Sequence, residues 1–299
     1  MDQKLQDEIC DALVFKHKGV YFHKNLSTPE GVDAIEDMEI RDSDVFLVTF
    51  PKSGTVWTQN ILCQIYKESQ GNVEGNVEDN VNNMAKAPWL EFKLLINDFD
   101  SCPSPRLLLS HLPYYLMPKN PRNRKLKVIY VLRNPKDNVV SFYHFHKTFV
   151  NIQHLAISWE AFFDLYMSGK VIGGSWFDHV RGWYTHKEEF DLLFLTYEEM
   201  IQDLRSAVLK ICQFLDIKLD DQAVNRIVEK ATFKNMKEDP LANYKFLSKD
   251  LFDQSEGGLL RKGIIGDWKN IMTVAQSEKM DAVIKEKLGD LPITFIWDM

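Results

Sequence analysis

No stretch of about 18 apolar residues occurs in this sequence, so a membrane-spanning helix is not expected. Four cysteines, Cys10, Cys63, Cys102 and Cys212, lie far apart and form no CxxC pair. That argues against a metal knuckle or a redox dithiol and fits reduced thiols. Positive charge is also short, with 36 Lys and Arg against 43 Asp and Glu and a formal net charge of -7. A protein that coats a nucleic-acid backbone is not built this way, although a local basic pocket for a small phosphorylated ligand is compatible with an acidic whole. The GxxxxGK[ST] loop of common triphosphate-binding proteins is missing. No metal site is expected either: His144 and His146 stand at i,i+2, which does not bring them onto one helix face, and no third ligand is evident. The opening MDQKLQDEIC is charged where a secretory signal needs apolar residues, so a cytoplasmic location is expected.

What is present suits a substantial core. The 299 residues are 45% apolar and 12% aromatic, and no Pro/Gly/Ser-rich linker divides them, so residues 1–299 are read as one α/β domain. Apolar runs predict buried strands at 45–50, 107–109 and 127–132, with another candidate within 191–200. Helical spacing predicts helices from 55 to 69, after Pro135, at 159–167, 176–186, 203–215, 221–230 and about 275–288. The first 44 residues read as mixed and polar, and the Asn/Gly/Glu/Val stretch between 71 and 83 reads as a mobile surface loop.

The sharpest local feature is Phe50-Pro51-Lys52-Ser53-Gly54-Thr55-Val56-Trp57, a tight loop between a strand and a helix. Successive backbone N–H groups and the start of the helix suit an anion there, with Lys52 as a movable positive charge. Read alone, Pro-Lys-Ser-Gly also fits a structural turn. Two further readings use the same loop: a nucleotide phosphoryl transferase and a nonenzymatic nucleotide-binding protein.

Joined to SHLP at 110–113, LRNPKDNVVSFYHF at 132–145 and LRKGIIGDWK at 260–269, this segment resembles the cytosolic sulfotransferases. Within that family, TVWTQ at 55–59, SPR at 104–106, WFDHVRGWY at 176–184 and FIWD at 295–298 are most similar to the amine sulfotransferase branch. The resemblance implies a central parallel sheet flanked by helices and a P-loop-like phosphosulfate-binding loop. It also implies sulfuryl transfer from 3'-phosphoadenosine 5'-phosphosulfate (PAPS) to a small amine, phenol or alcohol. The coproduct is adenosine 3',5'-bisphosphate (PAP), and no metal is required.

Carried over residue by residue, the resemblance makes His111 the general base, since histidine titrates near working pH. Lys52 would neutralise developing charge on the bridging and phosphate oxygens, with Ser141 interacting with that lysine and, together with Arg133, the 3'-phosphate. Arg261, Lys262 and Gly263 would close over the same phosphate, the glycine allowing close backbone approach. Ser53, Gly54, Thr55, Val56 and Trp57 follow from the loop, Trp57 and Phe233 would stack on adenine, and Tyr197, Thr232 and Met236 complete the implied nucleotide contacts. Val56, Leu109 and Ala231 depart from residues common in the family, at the cost of individual donor contacts.

Trp89, Phe142 and Phe145 are candidate apolar walls for the acceptor, and Gly173 stands where a tyrosine is common, which would enlarge that pocket. Routine hydrophobic packing is the alternative for the aromatics. Lys269, Thr273, Val274 and Glu278, within KNIMTVAQSE, resemble the family's dimer-contact motif and imply a homodimer with a small apolar centre.

Overall fold

Val45–Thr49 (β3) is buried at every position, and alternate side chains enter two different cores: Phe46 and Val48 one, Val45 and Leu47 the other. A strand covered on both faces needs apolar residues throughout, which is why this segment shows no polar alternation. The same division holds in Leu107–Ser110 (β4) and Lys127–Leu132 (β5). With Asp191–Thr196 (β6) they make a four-stranded parallel sheet in the order β4-β3-β5-β6. This is the expected central parallel sheet. The computed structural model describes residues 8, 11–71, 80–92, 99–119, 125–255 and 258–299. Most of the loop expected between 71 and 83, and Cys10, lie outside them.

Helices Thr55–Ser69, Pro135–His146, Trp159–Met167, Trp176–Thr185, Leu204–Phe214, Asp221–Lys230 and Val274–Leu288 occupy the segments where helical spacing places them. All but the first start at a polar cap: Asn134, Ser158, Ser175, Asp203, Asp220 and Thr273 each accept a backbone N–H from the first turn. Pro135 sits in the first turn of its helix, where a missing N–H costs nothing.

The first 44 residues hold more structure than their polarity suggests. Val14–His17 (β1) and Val20–His23 (β2) form an antiparallel hairpin, and Pro29–Glu36 is a helix capped by Thr28. Lys18 and Gly19, both at positive φ, make its two-residue turn. Every parallel strand delivers its C-terminal end to one side of the sheet, where β3 runs into the Pro51–Gly54 loop, β4 into His111 and β5 into Arg133. The site therefore lies at the carboxyl ends of the strands.

Candidate active site

At the end of β3 the chain turns through Lys52 (φ 68) and Gly54 (φ 103) into the helix Thr55–Ser69. A side chain at Gly54 would put Cβ 2.8 Å from the Tyr197 ring, so only glycine fits. No side chain caps this helix, which leaves its first amides for an anion. The Lys52 ammonium lies 3.4 Å from the Leu259 carbonyl and 4.4 Å from the centre of the Phe145 ring. Burial, and then the charges of Arg133 and Arg261, push its pKa down to about 7.

His111 follows β4 directly. Its Nδ1 lies 2.7 Å from the Thr49 carbonyl oxygen. A carbonyl can only accept, so Nδ1 carries the proton and Nε2 keeps a free lone pair. Burial outweighs the opposing bond from Thr49 and, with smaller contributions from His179 and Lys52, pushes its pKa down to about 3, so the ring is neutral at physiological pH. Its backbone N–H donates to Glu91 Oε1 at 2.7 Å, and the ring lies against Trp89, centroid to centroid 4.6 Å. Trp89 and Glu91 arrive there because Leu90 N–H donates to Leu109 O and Leu109 N–H to Pro88 O, continuing the sheet beside β4.

Arg133 stands just after β5, ahead of the helix that carries Ser141, and the two are not on one helix. Both nevertheless line the same cavity. Arg133 donates to the carbonyls of Lys52 (3.2 Å) and Ile264 (3.4 Å), stacks on Tyr197 at 4.2 Å, and leaves a buried Nε unpaired. Arg261 likewise keeps a buried, unpaired Nε. Among the described residues, the cavity wall carries four cationic side chains, Lys52, Arg133, Arg261 and Lys262, and no carboxylate. Such a set suits a polyanion.

The cavity has an empty volume of about 1380 Å3, its open mouth included. Gly54, Thr55, Val56, Trp57, Tyr197, Phe233, Met236 and Gly263 line it together with the cations. Gly263, at φ 69, packs so closely on Phe233 that a Cβ would lie 2.4 Å from the ring. Trp57 Nε1 donates to Ala231 O at 2.7 Å, which fixes its indole edge-on to Tyr197. Trp89, Phe142 and Phe145 are also part of the cavity lining, with Leu26, Phe149 and Phe252.

Ser53, Thr232 and Gly173 stand apart from this wall. Ser53 is fully buried, its N–H given to Phe50 O and its hydroxyl receiving Asn138 Nδ2. Thr232 caps the helix Phe233–Glu238, a short element that the polar sequence there conceals. Gly173 does not enlarge the pocket: at φ 87, its Cβ direction points at the Pro51 ring, 2.9 Å away, and it is Ile172 that faces the cavity. Arg261 and Lys262 are also less free than expected, because Asp267 Oδ2 takes Arg261 at 2.5 Å and Oδ1 takes Lys262 at 2.6 Å. Burial opposes ionisation of Asp267, but the bonds from Lys262 and Arg261 outweigh it and hold the carboxyl well below its usual range. Asp267, inside the LRKGIIGDWK segment, and Glu91, two residues after Trp89, were not singled out as site residues in the sequence. Away from the cavity, Thr273 caps the helix Val274–Leu288, Val274 is 75% exposed, Glu278 is exposed, and Lys269 pairs with Asp298.

Residues 42–292 match the family model described as a sulfotransferase domain. An amine sulfotransferase of Oryctolagus cuniculus is 47% identical over 284 residues, 94% of this chain and 93% of that protein. The human sulfotransferase 2A1 is 43% identical over 258 residues, 86% of this chain and 88% of that one. Among solved structures, a mouse sulfotransferase complexed with PAP is 29% identical with a TM-score of 0.74, covering 93% of this chain and 96% of that one.

Proposed function

The chain belongs to the sulfotransferase family, and from that premise we propose how its cavity works. The enzyme transfers a sulfuryl group from PAPS to a small amine, phenol or alcohol and releases PAP. The observation that carries the assignment of residues is one cavity in which four cationic side chains and an uncapped helix start meet the free Nε2 of a neutral histidine. The 5'-phosphosulfate belongs at the Lys52–Trp57 loop. The 3'-phosphate belongs among Arg133, Ser141, Arg261 and Lys262, and adenine between Trp57 and Phe233.

In this assignment the acceptor oxygen or nitrogen forms its bond to sulfur as the bond from sulfur to the bridging oxygen breaks, and the electron pair leaves on the phosphate. Lys52 offsets that developing charge. His111 Nε2 takes the acceptor's proton. An amine reacts only as the neutral species, because an ammonium has no lone pair. A neutral His111 has its Nε2 lone pair open to take the nitrogen's proton as the bond to sulfur forms. Ser53 and Thr232 then act behind the wall, on the loop and on the helix beside adenine. The aromatic wall residues Trp89, Phe142 and Phe145 favour an aromatic or alicyclic acceptor body, and the similarity to an amine sulfotransferase favours an amine.

No helix among the described residues is long and apolar enough to cross a membrane. A cytoplasmic enzyme fits, and the exposed Val274, flanked by Thr273 and Glu278, fits a two-fold homodimer contact. Incubation of purified protein with PAPS and a panel of arylamines, alkylamines, phenols and alcohols, followed by mass spectrometry, tests the assignment. Stoichiometric PAP with a sulfamate or sulfate ester is expected. Donor binding without transfer to any acceptor overturns it.

A further inference from the structure

Two cations adjacent in sequence repel one another and, on a surface segment, take many rotamers. Here both are held by a single carboxylate, Asp267, which is 4% exposed while Arg261 and Lys262 are 19% and 46% exposed. Asp267 is itself fixed. Asn270 Nδ2 donates to its Oδ1 at 3.0 Å, and it opens the short 3-10 helix Asp267–Asn270.

The residues on either side of Asp267 are anchored as well. Gly266 N–H donates to Asp137 Oδ2 at 2.8 Å, and Trp268 N–H to Asp137 Oδ1 at 3.0 Å. Asp137 is 1% exposed and belongs to the first turn of the helix Pro135–His146, where Asn134 Nδ2 donates to it at 2.9 Å. A continuous polar chain thus runs from the segment that follows Arg133, through Asp137, to Asp267 and on to Arg261 and Lys262. The Arg261 guanidinium is bonded to Asp267 through Nη2, its Nε is buried and unpaired, and the residue lines the cavity. A guanidinium gripped at one nitrogen keeps its remaining donors in a fixed plane for an anion.

We propose that Asp267 is a positioning residue that sets recognition of the nucleotide's 3'-phosphate by holding Arg261 and Lys262 at the cavity. The inference rests on the placement of that phosphate given under Proposed function. Asp267 touches neither substrate. It acts through the two cations, so its removal must cost affinity for a nucleotide with a 3'-phosphate and spare one without it. General damage to the fold would weaken both.

Calorimetric titration of PAP and of adenosine 5'-monophosphate into the wild-type chain, Asp267→Asn and Asp267→Glu separates these outcomes. Wild type is expected to prefer the bisphosphate. Asp267→Asn should bind PAP about tenfold more weakly or worse, as expected for loss of charge-assisted positioning, with monophosphate affinity within about twofold of wild type. Asp267→Glu should recover part of the loss. Asn270→Ala, which removes one bond to Asp267 but keeps its charge, should show a smaller loss of the same kind and serves if Asp267→Asn does not fold. Equal weakening of both nucleotides, or tighter PAP binding by Asp267→Asn because the carboxylate merely competes with phosphate, overturns the proposal. A wild-type protein that does not distinguish the two nucleotides overturns the 3'-phosphate placement beneath it instead.

Discussion

The His111 ring is bonded to the Thr49 backbone, Nδ1 to carbonyl oxygen at 2.7 Å. Thr49 ends β3, and the loop bearing Lys52 begins two residues later, so one strand end sets both the tautomer of the base and the start of the anion loop. A backbone acceptor cannot be removed by substituting its side chain, which makes the tautomer a property of the fold. His111→Ala should therefore lower kcat by roughly 10² to 10⁴, the usual worth of a placed base, while PAP affinity stays near wild type. Stopped turnover with saturating PAPS and acceptor, alongside PAP titration, checks this. Near-normal turnover would remove His111 from the mechanism.

Lys52 should impose a basic limb on donor use. With its pKa pushed down to about 7 in the free enzyme, it is charged below that pH and increasingly neutral above it. Affinity for an anionic donor then falls as pH rises, by up to about tenfold per unit, and donor binding at pH 8 takes up a proton. The kcat/KM for PAPS against pH, and calorimetry in buffers of different ionisation enthalpy, measure both effects. Lys52→Arg, always charged, should flatten the limb even if it lowers the rate.

How far the site was legible in the sequence depends on how each residue is held. β3 and β5 are readable because burial on both faces forces a continuous apolar run, and the loop after β3 is readable because its glycine and lysine sit between two strong periodic signals. Which side chains share the cavity is a matter of long-range packing, supplied in advance only by resemblance to known relatives. Gly173 shows the limit: absence of a side chain looked like added room, whereas its Cβ direction points into Pro51. Asp267 escaped notice because an acid in a phosphate site looks out of place until its bonds to Arg261 and Lys262 are seen. The hairpin Val14–His17/Val20–His23 was hidden by its lysines and histidines, although Lys18-Gly19 was a usable turn signal.

Gly263→Ala should separate nucleotide binding from base catalysis. The new Cβ would stand 2.4 Å from Phe233 at a φ of 69 that side chains rarely adopt, so the Arg261–Gly263 segment or the Phe233 ring must move. A rise in the Kd for PAP of about tenfold or more is expected. Unchanged PAP binding would show that Phe233 does not bound the nucleotide site.

Buried histidines should make the fold lose stability as pH falls below 6.5. Burial pushes His23 down to about 4 and His146 down to about 3, against an ordinary value of 6.5. Below pH 6.5 the unfolded chain binds protons that these folded histidines refuse, so stability falls as pH falls toward about 4. The drop from pH 6.5 to 5.5 should cost on the order of 1 kcal/mol per buried histidine. Urea unfolding at pH 7.5 and 5.5 measures it, and His146→Leu should shallow the dependence. Glu91 and Glu198, pushed up to about 7 by burial, take up protons over the same range and offset part of the loss, so the decisive result is the variant: a pH dependence unchanged in His146→Leu would mean that this ring is hydrated in the folded protein.

Val274 is 75% exposed at the start of a helix whose cap, Thr273, is already satisfied by Gln276, so neither helix formation nor core packing explains an apolar side chain there. The proposed homodimer would explain it, since a two-fold axis there would bring Val274 against its own copy and hide both from water. The Lys269 ammonium already pairs with Asp298 of its own chain, which leaves the apolar centre to supply most of the attraction. Such a contact is small, so association should be concentration-dependent. Val274→Glu would place two carboxylates face to face. It is expected to shift sedimentation from dimer to monomer at micromolar protein while leaving PAP affinity unchanged, since this residue stands outside the cavity wall. A wild-type chain that sediments as a monomer at all concentrations, or a Val274→Glu dimer as stable as wild type, would mean that this residue faces solvent.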